Sequence, residues 1–237
     1  MKNLLTPLQF INESEESEDY PKLFTELSKE EQAEAIEKNA YILVEYDEWF
    51  EDVIDLFKED MEELGISDIE VSFTGFHSQG DGASFTSNRI DTKEFMTKAL
   101  NMQSTTLLDL GDDTKKKNDL TDLVDDLREL GFKYDKMEAD DLYFSFDRTS
   151  SHYSHENTVT ASLELTDYPD DWEIETENIA DKFFKEVEEK AEDWRKDQSK
   201  ELYDLLNKEY DSLTSEEVVK DMLISNEYEF KSDGTID

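Results

Sequence analysis

Cysteine is absent from the 237-residue sequence, so disulfide bonds, thiolate nucleophiles and cysteine-ligated zinc or iron–sulfur centres are excluded. No segment approaches the ~20 consecutive apolar residues that a membrane-spanning helix requires. The apolar stretch near the N-terminus is interrupted by Thr6, Pro7 and Gln9, and it does not have the pattern of a signal peptide. These absences predict a protein of a reducing, cytoplasmic compartment.

Glycine and proline are also scarce, with seven and three residues respectively. Hydrophobic residues make up 36% of the chain and aromatic residues 11%, which is enough apolar material to form a core. We therefore expect most of the chain to fold, either as one large domain or as two small ones.

Basic residues are the third shortage, because 24 Lys and Arg stand against 64 Asp and Glu and leave a formal net charge of −40. Such a surface repels nucleic acid and membranes, and it suits a protein that occupies the DNA-binding surface of another protein. Halophilic adaptation is disfavoured because 14 Phe are retained and most of the basic residues are Lys. Acidity that serves only solubility stays open as an alternative.

Apolar periodicity predicts amphipathic helices near residues 29–64, 118–130 and 178–210, and alternation predicts antiparallel strands within 68–90 and 140–166. The pattern does not decide whether 29–64 is one helix or two. We predict an α+β fold, with a small antiparallel sheet covered by amphipathic helices, a long C-terminal helix and a flexible acidic N-terminal extension.

These patterns predict that the chain is divided into three parts. We expect a flexible extension over residues 1–27, an α+β core over 28–170 and a C-terminal helical region over 171–237 that packs on the core. An apolar patch in the extension is a possible docking arm for a partner, formed by Leu4, Leu5, Leu8, Phe10 and Ile11.

The strongest local charge lies on residues 45–63, where ten acidic residues face the single Lys58. Like charges three and four residues apart on a helix cost a few tenths of a kcal/mol per pair, so this face is a candidate for selected negative charge. A second acidic segment follows the predicted second hairpin. The expected DNA-mimicking residues are Glu45, Asp47, Glu48, Glu51, Asp52, Asp55, Glu59, Asp60, Asp167, Asp170, Asp171 and Glu173.

The long C-terminal helix carries a different kind of charge. Acidic residues precede lysines by four positions in Asp181–Lys185, Glu186–Lys190 and Glu192–Lys196. Such pairs compensate each other on a solvated surface. We therefore expect this helix to contribute less to partner binding than the face of residues 45–63.

Motifs that carry chemistry are missing. His152 and His155 have a metal-ligand spacing, but they fall in a predicted hairpin loop, where the helical geometry that the spacing needs is lost. Phosphate-binding glycine loops and nucleophile motifs are absent. We expect no enzymatic activity, no metal and no cofactor.

The segment FTGFHSQGDGASF, residues 73–85, has a distinctive composition. Gly80 and Gly82 permit positive φ or close backbone approach, which predicts a tight turn after a strand. Alternatively, Gln79, Asp81 and Ser84 line a polar site.

The stretch from YDEWFEDVIDLFKEDMEELGI through GFHSQGDGASF resembles a domain of phage and mobile-element proteins, in which an aromatic residue usually stands in place of His77. The closing EYEFKSDG is similar to the usual end of that domain, and the resemblance carries no activity. The whole chain also resembles the early host-takeover proteins of large Bacillus phages that shut off host RNA polymerase.

This second resemblance implies a DNA-mimicking inhibitor that blocks the DNA-binding channel of bacterial RNA polymerase in the host cytoplasm. It implies transcription inhibition through protein–protein contact, without direct nucleic-acid or membrane binding. Two alternatives stay open. One is an acidic decoy for another DNA-binding protein, such as a restriction enzyme or a nucleoid protein, and the other is a ligand-binding or enzymatic module at residues 73–85.

Overall fold

The computed structural model of the protein describes residues 21–76, 78–101, 142–150, 152–165, 174–231 and 233–237. They form a mixed fold of helices and small antiparallel two-stranded sheets, and the longest helix lies in the C-terminal part of the chain. The predicted α+β class is confirmed. None of the helices in these ranges is long and apolar enough to cross a membrane.

The chain divides into two compact units. The smaller unit combines residues 1–49 with 208–237, and the larger unit spans 50–207. This division differs from the predicted boundaries after residues 27 and 170. The predicted helix near 118–130 and the five residues of the apolar docking arm lie outside the described residues.

The described residues of the smaller unit include two whole α-helices, the end of the long C-terminal helix and one short sheet. Strand β1 (Lys22–Leu23) pairs antiparallel with β8 (Glu229–Phe230), and helices α1 (Lys29–Lys38) and α5 (Glu216–Ser225) pack in the same unit. Its buried core is formed by Phe24, Leu27, Ala35, Val219, Leu223 and Phe230. The folded chain therefore begins before the predicted start of the core at residue 28.

Local sequence explains how α1 begins. The Ser28 hydroxyl accepts from the Glu31 N–H at 3.3 Å, and the Glu31 carboxylate accepts from the Ser28 N–H at 2.6 Å. This reciprocal cap satisfies two N–H groups that lack a partner within the helix. Helix α1 ends at Lys38, and the next α-helix starts at residue 51, so the segment 29–64 forms two helices.

The described residues of the larger unit form the other α-helices and strands. In chain order they are α2 (Glu51–Glu63), β2 (Ile66–Ser67), β3 (Glu70–Phe73), β4 (Ala83–Thr86), β5 (Arg89–Ile90), α3 (Thr92–Lys98), β6 (Leu142–Arg148), β7 (Val159–Leu165) and α4 (Ile174–Leu213), which belongs to this unit as far as Asn207.

Two antiparallel hairpins form the centre of the larger unit. Strand β3 pairs with β4, and β6 pairs with β7 over seven residues from Leu142 opposite Leu165 to Arg148 opposite Val159. Reciprocal backbone hydrogen bonds between Ser87 and Phe146, of 3.2 and 2.8 Å, link the two hairpins. The predicted short connection between β6 and β7 thus gives the expected antiparallel pair.

Aromatic side chains fill the core on one side of these hairpins. The Phe95 ring lies edge-on to Phe144, Phe146 and Trp194, with centroids 5.1, 5.7 and 5.1 Å away. Edge-to-face contacts at these distances add to the stabilisation from apolar burial. Val187 and Ala191 of α4 are fully buried in the same core, so α4 covers the sheet as predicted.

Candidate functional site

Helix α2 separates an apolar stripe from an acidic face. Phe57 and Met61 are buried, and Val53 and Ile54 pack against the same core. The opposite face is exposed and carries seven carboxylates, on Glu51, Asp52, Asp55, Glu59, Asp60, Glu62 and Glu63. We call these seven residues the acidic face of α2.

The carboxylates of this face have no ion-pair partner among the described residues. Lys58, the single basic residue of α2, is half-buried and forms no such pair either. Each carboxylate is therefore available to a positive group from outside the chain.

Acidic residues at the C-terminal end of α2 lower the stability of the helix. Glu62 and Glu63 lie in the last turn, where the helix dipole is negative, and no basic residue of α2 shares that turn. An acidic residue there costs about 0.3–1 kcal/mol at an exposed site. The compensation comes from elsewhere, because the Lys98 ammonium donates to the Glu63 carbonyl at 2.8 Å while pairing with Glu94 at 3.4 Å.

The density of charge on α2 is close to that of one DNA strand. Seven acidic residues and one lysine give the thirteen-residue helix a net charge of −6. At 1.5 Å per residue the helix is about 20 Å long, which is about one charge per 3.3 Å of axis. Each strand of duplex DNA carries one charge per ~3.4 Å.

Other predicted site residues fall elsewhere. Glu45 and Glu48 are exposed in the smaller unit, and Asp47 begins the 3-10 turn Asp47–Phe50, although its side chain is outside the described part. The structure brings together Glu51, Asp52, Asp55, Glu59 and Asp60 on α2. Asp167, Asp170, Asp171 and Glu173 lie outside the described residues.

Helix α4 uses some of its carboxylates inside the fold. Glu192 accepts from the Arg195 guanidinium through two hydrogen bonds of 3.0 and 2.9 Å, and from the Ala161 N–H at 2.8 Å. Lys196 pairs with the same carboxylate at 3.1 Å, which confirms the predicted Glu192–Lys196 pair. Lys190 instead donates to the Leu100 carbonyl at 2.6 Å, and Lys185 approaches Glu189 at 3.9 Å.

These contacts set the ionisation of Glu192. Burial alone raises the pKa of this carboxyl, but the Arg195 hydrogen bonds, the Ala161 N–H, the Arg195 charge and the Lys196 hydrogen bond together lower its pKa below the ordinary value. The carboxylate is thus held in its charged form.

Sequence reasoning did not identify Arg195 as a structural residue. Its side chain is fully buried, and its Nη2 also donates to the Glu156 carbonyl at 2.8 Å, while Nη1 has no hydrogen-bond partner in the described residues. The available signal was its place on the apolar stripe of α4, four residues after Ala191. A buried arginine at such a position requires a nearby carboxylate.

The SQGDGA segment forms the expected tight turn. Ser78 N–H donates to the Asp81 carboxylate at 2.6 Å, and Asp81 N–H donates to the Ser78 carbonyl at 3.2 Å. Gly80 has φ +93°, and a Cβ there would lie 2.8 Å from the Tyr153 ring. At Gly82 a Cβ would lie 2.5 Å from the His155 Cα, so both glycines are required for close packing against the loop after β6.

A shallow polar groove of about 580 Å³ lies between this turn and that loop, and Gln79, Asp81 and His155 are among its lining residues. Ser84, the third residue of the alternative polar site, is fully buried and lies 3.3 Å from the Thr158 hydroxyl instead. Across the described ranges, no group of three His, Cys, Asp or Glu side chains is arranged to hold a metal ion.

A comparison with models of protein families finds a match to this chain. The model of the domain of unknown function DUF8835 matches residues 49–216. The chain belongs to this family. No curated protein and no solved structure matches the chain.

The DUF8835 region contains the features described above. It includes the acidic face of α2, the SQGDGA turn and the Glu192–Arg195 pair, whereas Glu45 and Glu48 precede it. Because DUF8835 has no known function, membership supplies no activity, and the functional argument depends on the geometry of these residues.

Proposed function

We propose that the protein is a DNA-mimic inhibitor that binds bacterial RNA polymerase and blocks its DNA-binding channel, which shuts off host transcription. The acidic face of α2 occupies positions where DNA phosphates otherwise lie. Lys and Arg side chains of the polymerase then contact carboxylates in place of DNA. In this proposal the protein acts by binding another protein, without catalysis and without contacting nucleic acid itself.

The observation that carries the proposal is the unpaired state of the acidic face. Seven exposed carboxylates lie along about 20 Å of helix with a charge spacing near that of one DNA strand. Self-repulsion of this kind lowers the stability of the helix, so a solubility role alone gives no reason to concentrate it on one face. The net charge of −40 also accelerates encounter with a basic partner.

The choice of RNA polymerase as partner depends on the resemblance to phage host-takeover proteins. The acidic face by itself suits any protein with a DNA-binding surface, so a decoy for a restriction enzyme or a nucleoid protein is the second candidate. The SQGDGA turn gives less support to a ligand-binding or enzymatic module, because its glycines and Asp81 already have structural roles.

A competition assay tests the proposal. Labelled promoter DNA is bound to RNA polymerase, and the protein is titrated at 50 mM and 500 mM salt while bound DNA is measured by fluorescence anisotropy. We expect displacement that weakens steeply with salt, because exposed charges are screened over a few ångströms at high salt. The same titration on a restriction enzyme and a nucleoid protein separates the two candidate partners.

Two matched variants assign the effect to the acidic face. One variant carries Gln or Asn at five of its positions, namely Glu51, Asp52, Asp55, Glu59 and Asp60. The control carries the same changes at five exposed acidic positions of α4, namely Glu189, Asp193, Asp197, Glu201 and Asp204. We expect the first variant to compete at least about tenfold more weakly and the control to change little, since five exposed pairs of 0.2–1 kcal/mol each are lost. Equal loss in both variants would show that only total charge matters.

A further inference from the structure

Arg195, Ser199 and Tyr203 are spaced by four residues on α4, so their side chains lie on the same side of the helix. At one end of this stripe the Arg195 Nη2 donates to the Glu156 carbonyl at 2.8 Å, and at the other end the Tyr203 hydroxyl donates to the Gly75 carbonyl at 3.5 Å. Four helical residues rise by about 6 Å, so Ser199 lies about 6 Å along the axis from either end. The Ser199 side chain is therefore between two points at which α4 contacts the rest of the larger unit.

The two segments that accept these hydrogen bonds also contact each other. The Thr74 N–H donates to the Gly82 carbonyl at 3.1 Å, and a Cβ on Gly82 would lie 2.5 Å from the His155 Cα. Thr74 is the neighbour of Gly75 in the chain, and His155 is the neighbour of Glu156. The middle of the stripe on α4 therefore faces the area around Thr74 and Gly82.

Three buried polar atoms in this region have no hydrogen-bond partner among the described residues. They are the Arg195 Nη1, the Ser199 Oγ and the Thr74 Oγ1, and the side chains of Arg195 and Ser199 are fully buried. Buried polar groups in native proteins are nearly always hydrogen-bonded, either to the protein or to ordered water. One small molecule that contacts all three atoms would satisfy them together.

We propose that this region of the larger unit is a binding site for one ordered water molecule, which joins α4 to the end of β3 through Arg195, Ser199 and Thr74. Water accepts from the Nη1 and exchanges hydrogen bonds with both hydroxyls, and three partners are typical of a buried water. An anion is a poorer occupant, because the Glu192 carboxylate already compensates the Arg195 charge. The occupant is neutral, and it both donates and accepts.

Two double variants distinguish this site from other buried hydroxyls without changing the net charge. The site variant, Thr74→Val with Ser199→Ala, leaves the water a single partner, and a buried water needs two to four. The control variant makes the same two kinds of change, Ser84→Ala with Thr158→Val. Its two buried hydroxyls lie 3.3 Å apart and contact each other directly, so no water is needed between them.

Magnetic relaxation dispersion of the water nuclei counts the long-lived internal waters in the wild type and in both variants. We expect the site variant to hold one fewer than the wild type, and the control variant to hold the same number as the wild type. The Thr74 amide, whose hydrogen bond to Gly82 closes the SQGDGA turn, is expected to exchange about fivefold faster in the site variant, which is the net worth of about one hydrogen bond.

Equal water counts in the wild type and the site variant would overturn the proposal, because the Ser199 hydroxyl would then be satisfied by a carbonyl of its own helix. The same loss in the control variant would also overturn it. A melting temperature that rises with chloride at constant ionic strength in the wild type, and does not in the site variant, would identify an anion as the occupant instead.

A crystal structure of the wild type decides the question if the site variant does not fold. Electron density for a single atom within about 3.2 Å of the Arg195 Nη1, the Ser199 Oγ and the Thr74 Oγ1 would support the proposal. Direct hydrogen bonds from these three atoms to protein groups, with no such density between them, would contradict it.

Discussion

Helices α2 and α4 are both rich in carboxylates, yet they use them in opposite ways. On α2 the seven acidic residues are exposed and have no ion-pair partner among the described residues. On α4, Glu192 contacts a buried arginine, a lysine and a strand N–H, and Glu188 contacts a second strand N–H. The carboxylates of α4 belong partly to the internal structure, whereas those of α2 face outward.

This difference shows that acidic content alone does not mark a binding surface. A carboxylate whose hydrogen bonds and charge are satisfied within the fold has little to offer a partner, because binding would first have to break those contacts. An unpaired exposed carboxylate offers its full charge. The state of pairing therefore distinguishes the two helices where a count of Asp and Glu does not.

The largest expected change in the free energy of unfolding comes from a substitution in α4. Glu192→Ala leaves the Arg195 guanidinium buried without its carboxylate, which costs about 3–5 kcal/mol of unfolding free energy. Glu192→Ala combined with Arg195→Met removes both charges and is expected to recover most of that loss. Urea unfolding of the wild type and both variants measures the difference. Equal stability of the single and double variants would contradict the structural role of the pair.

Neutralising carboxylates of α2 is expected to raise the free energy of unfolding, by a smaller amount. Changing Asp55, Glu59, Asp60, Glu62 and Glu63 to Gln or Asn removes several like-charge neighbours worth 0.2–0.5 kcal/mol each, so stability should rise by about 1 kcal/mol at low salt. Glu51 and Asp52 are kept because they lie in the first turn, where the helix dipole favours acidic residues. The gain should disappear in 1 M salt. Thermal unfolding at both salt concentrations provides the measurement, and a loss of stability at low salt would mean that these carboxylates have partners within the fold.

The smallest expected effect is the pH dependence of the stability that Glu192 contributes. Because the pKa of Glu192 in the folded protein lies below its ordinary value of 4.5, its stabilising contribution is complete above pH 4.5 and is lost as pH falls through the folded pKa. The stability advantage of the wild type over Glu192→Gln should therefore be constant near neutrality and shrink below pH 4.5. An advantage that grows on acidification would show that the pKa is raised instead.

Elements with local signals were predictable from the sequence. The Ser28 cap, the apolar stripe of α2 and the alternation in β6 and β7 each depend on residues close in the chain, and the structure has all three. Gly65 lies two residues after Glu63, the last residue of α2, and has φ +84°, a left-handed conformation that glycine commonly adopts at a helix end. Such features depend on backbone preferences that a few neighbouring residues determine.

Features that join distant residues were not predictable. Arg195 meets Glu156, 39 positions away, and Ala161 meets Glu192, 31 positions away. Gly82 was expected in a turn, but its contact with His155 depends on how two loops pack. On α2 the sequence indicated which carboxylates share a face, while their lack of ion pairs in the described structure depended on where lysines from other elements lie.

The short sheet of β1 and β8 has a consequence for how the protein is made. Residues 22–23 pair with residues 229–230, so the core around Phe24 and Phe230 requires both. A ribosome adds about 5–20 residues per second, and the earlier strand therefore waits about 10–40 seconds for its partner. The core of the larger unit includes both Phe57 and Leu206, so its completion takes about 7–30 seconds at the same rate. Until residues 229–230 are synthesised, Phe24 and Leu27 lack the strand that completes their core, and the negative charge of the nascent chain opposes its association with other copies.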